Sequence, residues 1–99
     1  MGATYKTIIG PDWQWAEDYL FGMATYVLAC QPTRHCEVGM GFSVFNRPRG
    51  QSVEFFGERE ILVLGAGSLH FRVLDGQGPC TVAFAVKSKR PLSWSWPSG

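Results

Sequence analysis

Three cysteines and one histidine are the side chains best suited to bind a metal ion. Cys30, His35 and Cys36 lie within seven residues of one another, and Cys80 follows far along the chain. Thiolate and imidazole are the ligand types of zinc sites, but such sites usually draw their ligands from close Cys-x2-Cys pairs. No such pair is present, so the spacing disfavours a metal site and no cofactor is expected. More simply, Cys30 ends a buried strand, Cys80 begins one, and His35 with Cys36 lies on an exposed loop.

The two histidines are the only candidates for acid–base chemistry near neutral pH. Ser68 and His70 fall on one face of a predicted strand, as a nucleophile and its base could. A nucleophile of this kind normally sits on a turn from strand to helix, whereas Gly65-Ala66-Gly67 is predicted to lead from one strand to another. The alternative is a hairpin turn with His70 on the surface. The sequence therefore favours a protein that is not an enzyme, and a small enzyme or metal site using His35, His70 and the cysteines is the third choice.

All four tryptophans lie in two Trp-x-Trp pairs near the chain ends. Trp13 and Trp15 form the first pair, and Trp94 and Trp96 form the second. Tryptophan combines a large apolar surface with one hydrogen-bond donor and is enriched at binding hot spots. The pairs could form an aromatic rim for a sugar, a peptide or another subunit. Alternatively, Trp13 fills the core from a helix and the C-terminal pair covers an open sheet face.

The net charge of +1 conceals a mild gradient along the chain, from a more acidic first third to a more basic remainder. Arg47 and Arg49 occupy one predicted turn, and three more basic residues follow the last predicted strand. This pattern suits docking to an acidic partner, while the pI of about 7.7 is too low for a typical nucleic-acid-binding domain. Nucleic acid is therefore an unfavoured partner.

The segment from Val38 to Ser88 has the period-two alternation and the glycine-rich turns of an antiparallel β meander. Strands are predicted over 38–45, 52–56, 60–64, 68–74 and 80–86, with turns over 46–50, 65–67 and 75–79. About ten residues separate successive strands, which is typical of a sandwich or barrel.

The first third of the chain is ambiguous between helix and strand. Residues 4–9 are predicted as a strand. Pro11-Asp12-Trp13 resembles a helix start, and apolar residues then recur at helical spacing. The preferred prediction is a helix over 12–21 followed by a strand over 24–30, with one helix through Leu28 as the alternative. The predicted fold is thus a mainly β domain, a small antiparallel sandwich or barrel of six to seven strands with one short N-terminal helix, or α+β if that helix is long.

The inward positions of these elements define a predicted core. Its members are Ile8, Leu20, Val27, Phe42, Val44, Val53, Phe55, Ile61, Val63, Leu69, Phe71, Val73, Val82, Phe84 and Val86.

Length and composition predict one domain over 1–90, followed by a Trp/Ser/Pro tail over 91–99. The longest apolar stretch is about 12 residues, against about 20 for a membrane-spanning helix. We expect a cytoplasmic protein, because no secretory signal follows Met1 and an odd number of cysteines cannot all pair within the chain. In an oxidising compartment Cys30 and Cys36 could form a disulfide.

The predicted function is a non-catalytic interaction module, self-associating as a homo-oligomer, that docks a protein partner through the aromatic rim and the Arg47/Arg49 turn. The alternative is a sandwich or cupin-like barrel that binds a sugar or other small molecule in a pocket lined by Trp and Phe and polarised by His70 or His35.

Overall fold

The computed structural model describes residues 2–90 as a β structure in which these residues form no helix. Its principal extents are 57 × 29 × 19 Å. A six-stranded antiparallel sheet has the order β1-β8-β2-β7-β3-β6, and β4 pairs with β5 in a small separate hairpin. The strands are β1 Thr4–Ile8, β2 Gln14–Ala29, β3 Cys36–Gly39, β4 Ser43–Val44, β5 Arg47–Pro48, β6 Ser52–Phe55, β7 Glu58–Val73 and β8 Cys80–Arg90. The mainly β prediction is confirmed, and no closed barrel is seen within residues 2–90.

The predicted helix over 12–21 is wrong, as is the longer helix through Leu28. From Gln14 onward both segments belong to β2, which pairs with β7 from Gln14 to Ala29 and with β8 from Met23 onward. The apolar residues at helical spacing are outweighed by these long-range ladders, because strand preference depends mainly on packing against neighbouring strands. The predicted strand over 24–30 is therefore right, but it begins ten residues too late.

β2 bends sharply at a corner near its middle. The ring centroids of Tyr19 and Tyr26 are 6.4 Å apart. Seven residues of straight strand would separate them by about 23 Å. The corner lies at a register shift between Leu20 and Gly22, where Gly22 (φ 78°) faces Gly65 (φ 74°) on β7. A backbone at these positive φ values favours glycine, so the paired glycines are what allows the two longest strands to bend together.

This corner corrects two predictions. The glycines of 65–67 do not end a strand, because β7 runs unbroken through them. The predicted strand over 38–45 is instead divided at Gly41 (φ 100°) into β3 and β4. Gly67 lies so close to Gly41 that an added Cβ would stand 2.6 Å from the Gly41 carbonyl. These glycines therefore allow strands to bend and backbone segments to pack closely, more than they reverse the direction of the chain.

The core lies on the inner face of the folded sheet. Phe71 is fully buried, and its ring centroid lies 6.3 Å from that of Phe55 and 5.6 Å from that of Phe84. Nine of the fifteen predicted core residues are buried: Ile8, Phe55, Ile61, Val63, Leu69, Phe71, Val73, Val82 and Phe84. Val27, Val53 and Val86 are only partly buried, and the prediction is wrong for Leu20, Phe42 and Val44, which are exposed.

The outer face of the sheet carries an apolar strip. Leu62 and Leu64 are 53% and 60% exposed, and their partners across β2 are Thr25 and Met23. Residues 2–90 contain no helix long and apolar enough to cross a membrane.

Candidate functional site

The β4–β5 hairpin presents an exposed aromatic side chain on a strained turn. Its two central residues, Phe45 (φ 52°) and Asn46 (φ 60°), both adopt left-handed backbone conformations, as a type I′ turn requires. Asparagine tolerates this conformation, but a bulky aromatic residue rarely does. Phe45 is nevertheless 93% exposed, so its side chain gains almost no burial in return.

Asn46 fixes the turn to the rest of the protein. Its Nδ2 donates a hydrogen bond of 3.0 Å to the carbonyl of Trp13, and its Oδ1 lies 3.1 Å from Nε2 of His70. Since the amide oxygen of Asn46 can only accept, Nε2 of His70 carries the proton. The hairpin is thus held in place by a hydrogen-bond network that links Trp13, Asn46 and His70.

His70 lies at the buried end of this hydrogen-bond network. The prediction of a surface histidine is wrong, because only 1% of His70 is exposed. Burial lowers the pKa of His70, and the charge of Asp18 opposes that shift without cancelling it. Nδ1 of the ring has no hydrogen-bond partner among residues 2–90. His70 therefore acts as a neutral donor that supports the turn.

Beside the turn lies a hollow of about 300 Å³, which we call the hairpin hollow. Arg72 lies against the ring of Trp13, with its guanidinium carbon 4.4 Å from the ring centroid. Its Nε also donates a 2.6 Å hydrogen bond to Glu37, so the two charges balance. The hollow is lined by Pro11, Asp12, Trp13, Phe45, Asn46, Arg47 and Arg72.

The structure brings together some of the residues predicted to bind and separates others. Trp13 and Arg47 line the hollow, and His70 supports it from beneath. Arg49 is exposed next to β5. Trp15 is not in the hollow: its Nε1 donates to Asp18, and Lys6 lies 5.6 Å from the centroid of its ring. Trp94 and Trp96 lie outside the described residues. Sequence reasoning missed Phe45, for which the adjoining Asn46 was the available signal of a positive-φ turn.

A second site is formed by the three cysteines, which we call the thiol cluster. The sulfur atoms of Cys30, Cys36 and Cys80 all lie within 4.8 Å of one another, and those of Cys36 and Cys80 are 3.8 Å apart. Cys36 and Cys80 are buried, and Cys30 is partly buried. Burial raises the pKa of the Cys36 thiol, and the neighbouring cysteines raise it further; burial also raises the pKa of Cys30.

An ion pair between Arg34 and Asp75, which we call the clasp, holds together the segments that carry these cysteines. Nε of Arg34 donates 2.9 Å to Asp75, and its Nη1 donates 2.8 Å to the carbonyl of Pro79, next to Cys80. The backbone amide of His35 donates to the same carboxylate. The Arg34 guanidinium holds the pKa of Asp75 well below its usual range. Neither clasp residue could be recognised from the sequence, because 41 positions separate them.

His35 does not join the thiol cluster. Its Nε2 lies 2.7 Å from a carboxylate oxygen of Glu54, and its ring stacks on Phe56 at 4.5 Å between centroids. The four residues proposed from sequence as metal ligands therefore separate into three clustered thiols and one histidine that is engaged elsewhere.

No family model, curated protein or solved structure matches the chain. The function must therefore be inferred from the chemistry of the two sites.

Proposed function

We propose that this chain is a non-catalytic interaction module that docks an acidic segment of a partner protein at the hairpin hollow. The observation that carries the proposal is Phe45, an aromatic side chain that is 93% exposed on a turn with a positive φ. Backbone strain of this kind costs on the order of 1–3 kcal/mol and tends to persist at functional positions. An exposed phenylalanine on such a turn is well placed to enter an apolar pocket of a partner.

The charges around Phe45 favour an acidic partner. Arg47 and Arg49 have no carboxylate within salt-bridge distance among residues 2–90, whereas Arg72 is already paired with Glu37. Complementary charge steers association and suppresses wrong partners. Asp12 is the acidic residue that lines the hollow and Arg47 offsets its charge. Arg49, exposed next to β5, adds a further positive charge near the turn.

The site is also preorganised. Asn46 ties the turn to Trp13 and His70, and Arg72 restrains the Trp13 ring. A binding surface that is already ordered loses less conformational entropy when its partner arrives. At about 300 Å³ the hollow lies at the small end of ligand pockets. A peptide side chain with its flanking backbone is the occupant that we propose for this surface, with a sugar or other small molecule as the alternative.

Self-association is the second part of the proposal. The outer apolar strip is centred on Leu62 and Leu64, which are 53% and 60% exposed. An exposed apolar strip on one face of a sheet is a feature of surfaces that bind another protein. A second copy of the chain is the occupant that we propose for it.

The docking proposal is tested with synthetic peptides that combine acidic and aromatic or aliphatic residues, against sequence-scrambled and basic peptides. We expect fluorescence anisotropy to detect binding of the acidic set, and Arg47→Glu to weaken it at least tenfold. Arg59→Glu is the matched control, since Arg59 is an exposed arginine on a different strand.

Phe45→Asn separates binding from stability. Asparagine suits the left-handed conformation, so this change is expected to stabilise the fold by about 1 kcal/mol while abolishing peptide binding. Urea denaturation measures the first effect and anisotropy the second. Unchanged binding in both Phe45→Asn and Arg47→Glu would remove the hairpin hollow as the docking site.

A further inference from the structure

We propose that Cys30, Cys36 and Cys80 form a binding site for one thiophilic d10 metal ion, Cu(I) or Zn(II), held by three thiolates. This inference is independent of the docking function. It rests on the convergence of all three cysteines of the chain from separate positions: one just after β2, one at the start of β3 and one at the start of β8.

The geometry is close to that of a coordinated ion. A metal–sulfur distance of about 2.3 Å places ligand sulfurs about 3.8 Å apart in tetrahedral sites and about 4.0 Å apart in trigonal ones. Cys36 and Cys80 already stand 3.8 Å apart, and no pair in the cluster exceeds 4.8 Å. Movements of about 1 Å or less would therefore bring the three sulfurs to bonding positions.

Simple packing explains this arrangement less well. Cysteine is often buried as a small hydrophobic residue, and burial accounts for Cys36 and Cys80 taken singly. It does not account for Cys30, which is only partly buried and whose Sγ lies 3.5 Å from the carbonyl oxygen of Gln31, at the edge of the cluster. Three thiols that meet at one point, with one of them toward solvent, provide both a donor set and a path of entry.

The Arg34–Asp75 clasp supplies the outer support that metal sites need. It fastens the segment between Cys30 and Cys36 to the segment that precedes Cys80. Outer-shell hydrogen bonds of this kind orient ligands and raise affinity.

The donor set defines the class of ion. Soft thiolate ligands select Cu(I) and Zn(II) over Mg²⁺ or Ca²⁺, which take oxygen. On binding, each thiol releases its proton to solvent as its sulfur–metal bond forms, and no electrons are exchanged. Three thiolates would satisfy Cu(I), whereas Zn(II) would need a fourth ligand such as water.

The test uses the full-length, fully reduced protein under anaerobic conditions. Zn²⁺ and Cu(I) are added in separate arms, and unbound ion is removed by gel filtration. We expect elemental analysis and native mass spectrometry to find one ion per chain in at least one arm, with thiolate-to-metal absorption in the ultraviolet. Mg²⁺ serves as the negative control.

Two variants assign the ligands. Cys30→Ser, at the partly exposed position, is expected to weaken binding by at least about 100-fold, since loss of an outer-shell partner alone costs up to that much. His35→Ala is expected to leave affinity unchanged, because its ring is engaged with Glu54 and Phe56. Circular dichroism checks that both variants are folded.

Three results would overturn the proposal. They are the absence of bound ion in both arms for the wild-type protein, equal affinity in folded Cys30→Ser, or binding that requires His35. The wild-type stoichiometry decides the matter even if Cys30→Ser does not fold. None of these results depends on the hairpin hollow, so the two proposals fail separately.

Discussion

Burial of neutral His70 couples the stability of this protein to pH. Its folded-state pKa is lowered from the ordinary value of 6.5, so the unfolded chain binds a proton more readily than the folded one. Well above pH 6.5 the ring is neutral in both states, so His70 does not reduce the stability of the fold. As the pH falls below 6.5, the unfolded chain takes up a proton before the folded one does, and the free energy of unfolding therefore decreases. One proton of difference gives a slope of up to about 1.4 kcal/mol per pH unit.

The measurement is the free energy of unfolding in urea between pH 7.5 and 5. This window lies above the range in which Asp75 titrates in the unfolded chain, whose ordinary pKa is 3.8. His70→Asn is expected to flatten the decline, whatever it does to stability at pH 7.5. Identical profiles for wild type and His70→Asn would rule out His70 as the source.

The chemistry of single residues can be inferred from the sequence, but their surroundings cannot where distant contacts decide. Arg47 and Trp13 are binding candidates by their chemistry and both line the hairpin hollow, while their role in binding stays a prediction. His70 was placed on the surface because alternation along β7 could not indicate that Asn46 lies over it. The convergence of the three cysteines could not be predicted either. Their spacing along the chain does not show which strand ends the folded sheet brings together.

At the scale of elements, the corner between β2 and β7 is the feature on which the fold depends. Gly65 has φ 74°, and nothing lies within 4 Å of the position where a Cβ would be added. Gly65→Ala therefore tests backbone conformation alone. We expect it to lower the free energy of unfolding by about 1–2 kcal/mol, the cost of a left-handed conformation for a residue with a Cβ.

Gly10→Ala is the control for that change. Its added Cβ also meets nothing within 4 Å, and its backbone is not left-handed. Surface substitutions of this kind usually change stability by no more than about 0.5 kcal/mol. Urea denaturation of both variants gives the comparison, and equal effects would show that the corner does not depend on the positive φ of Gly65.

The same corner explains why the elements were only partly predictable. Period-two alternation correctly indicated strands from Val53 to Val86, because each strand there buries one face. Glycine has two roles that a sequence does not distinguish: it ends strands at turns and it bends strands that continue. Gly65 bends one. In β2, helical spacing of apolar residues was misleading because the bulge between Leu20 and Gly22 disturbs the alternation.

At the scale of the whole molecule, the sheet has one face filled by the core and one face that carries exposed leucines. Leu62 and Leu64 lie on the outer side of β7, while Ile61 and Val63 between and beside them are buried. A contiguous apolar strip on an outer sheet face is a common mark of a protein–protein interface.

The outer strip therefore predicts that the wild-type chain forms an oligomer and that Leu64→Lys converts it to the 11.0 kDa monomer. A lysine there would bring a charge into the interface of both copies, while in the monomer it would remain in solvent and leave the fold intact. Light scattering across a wide concentration range measures the mass. Leu20→Lys is the matched control, because Leu20 is 81% exposed but lies beyond the glycine corner. A wild-type monomer at all concentrations, or equal effects of the two substitutions, would contradict self-association through the strip.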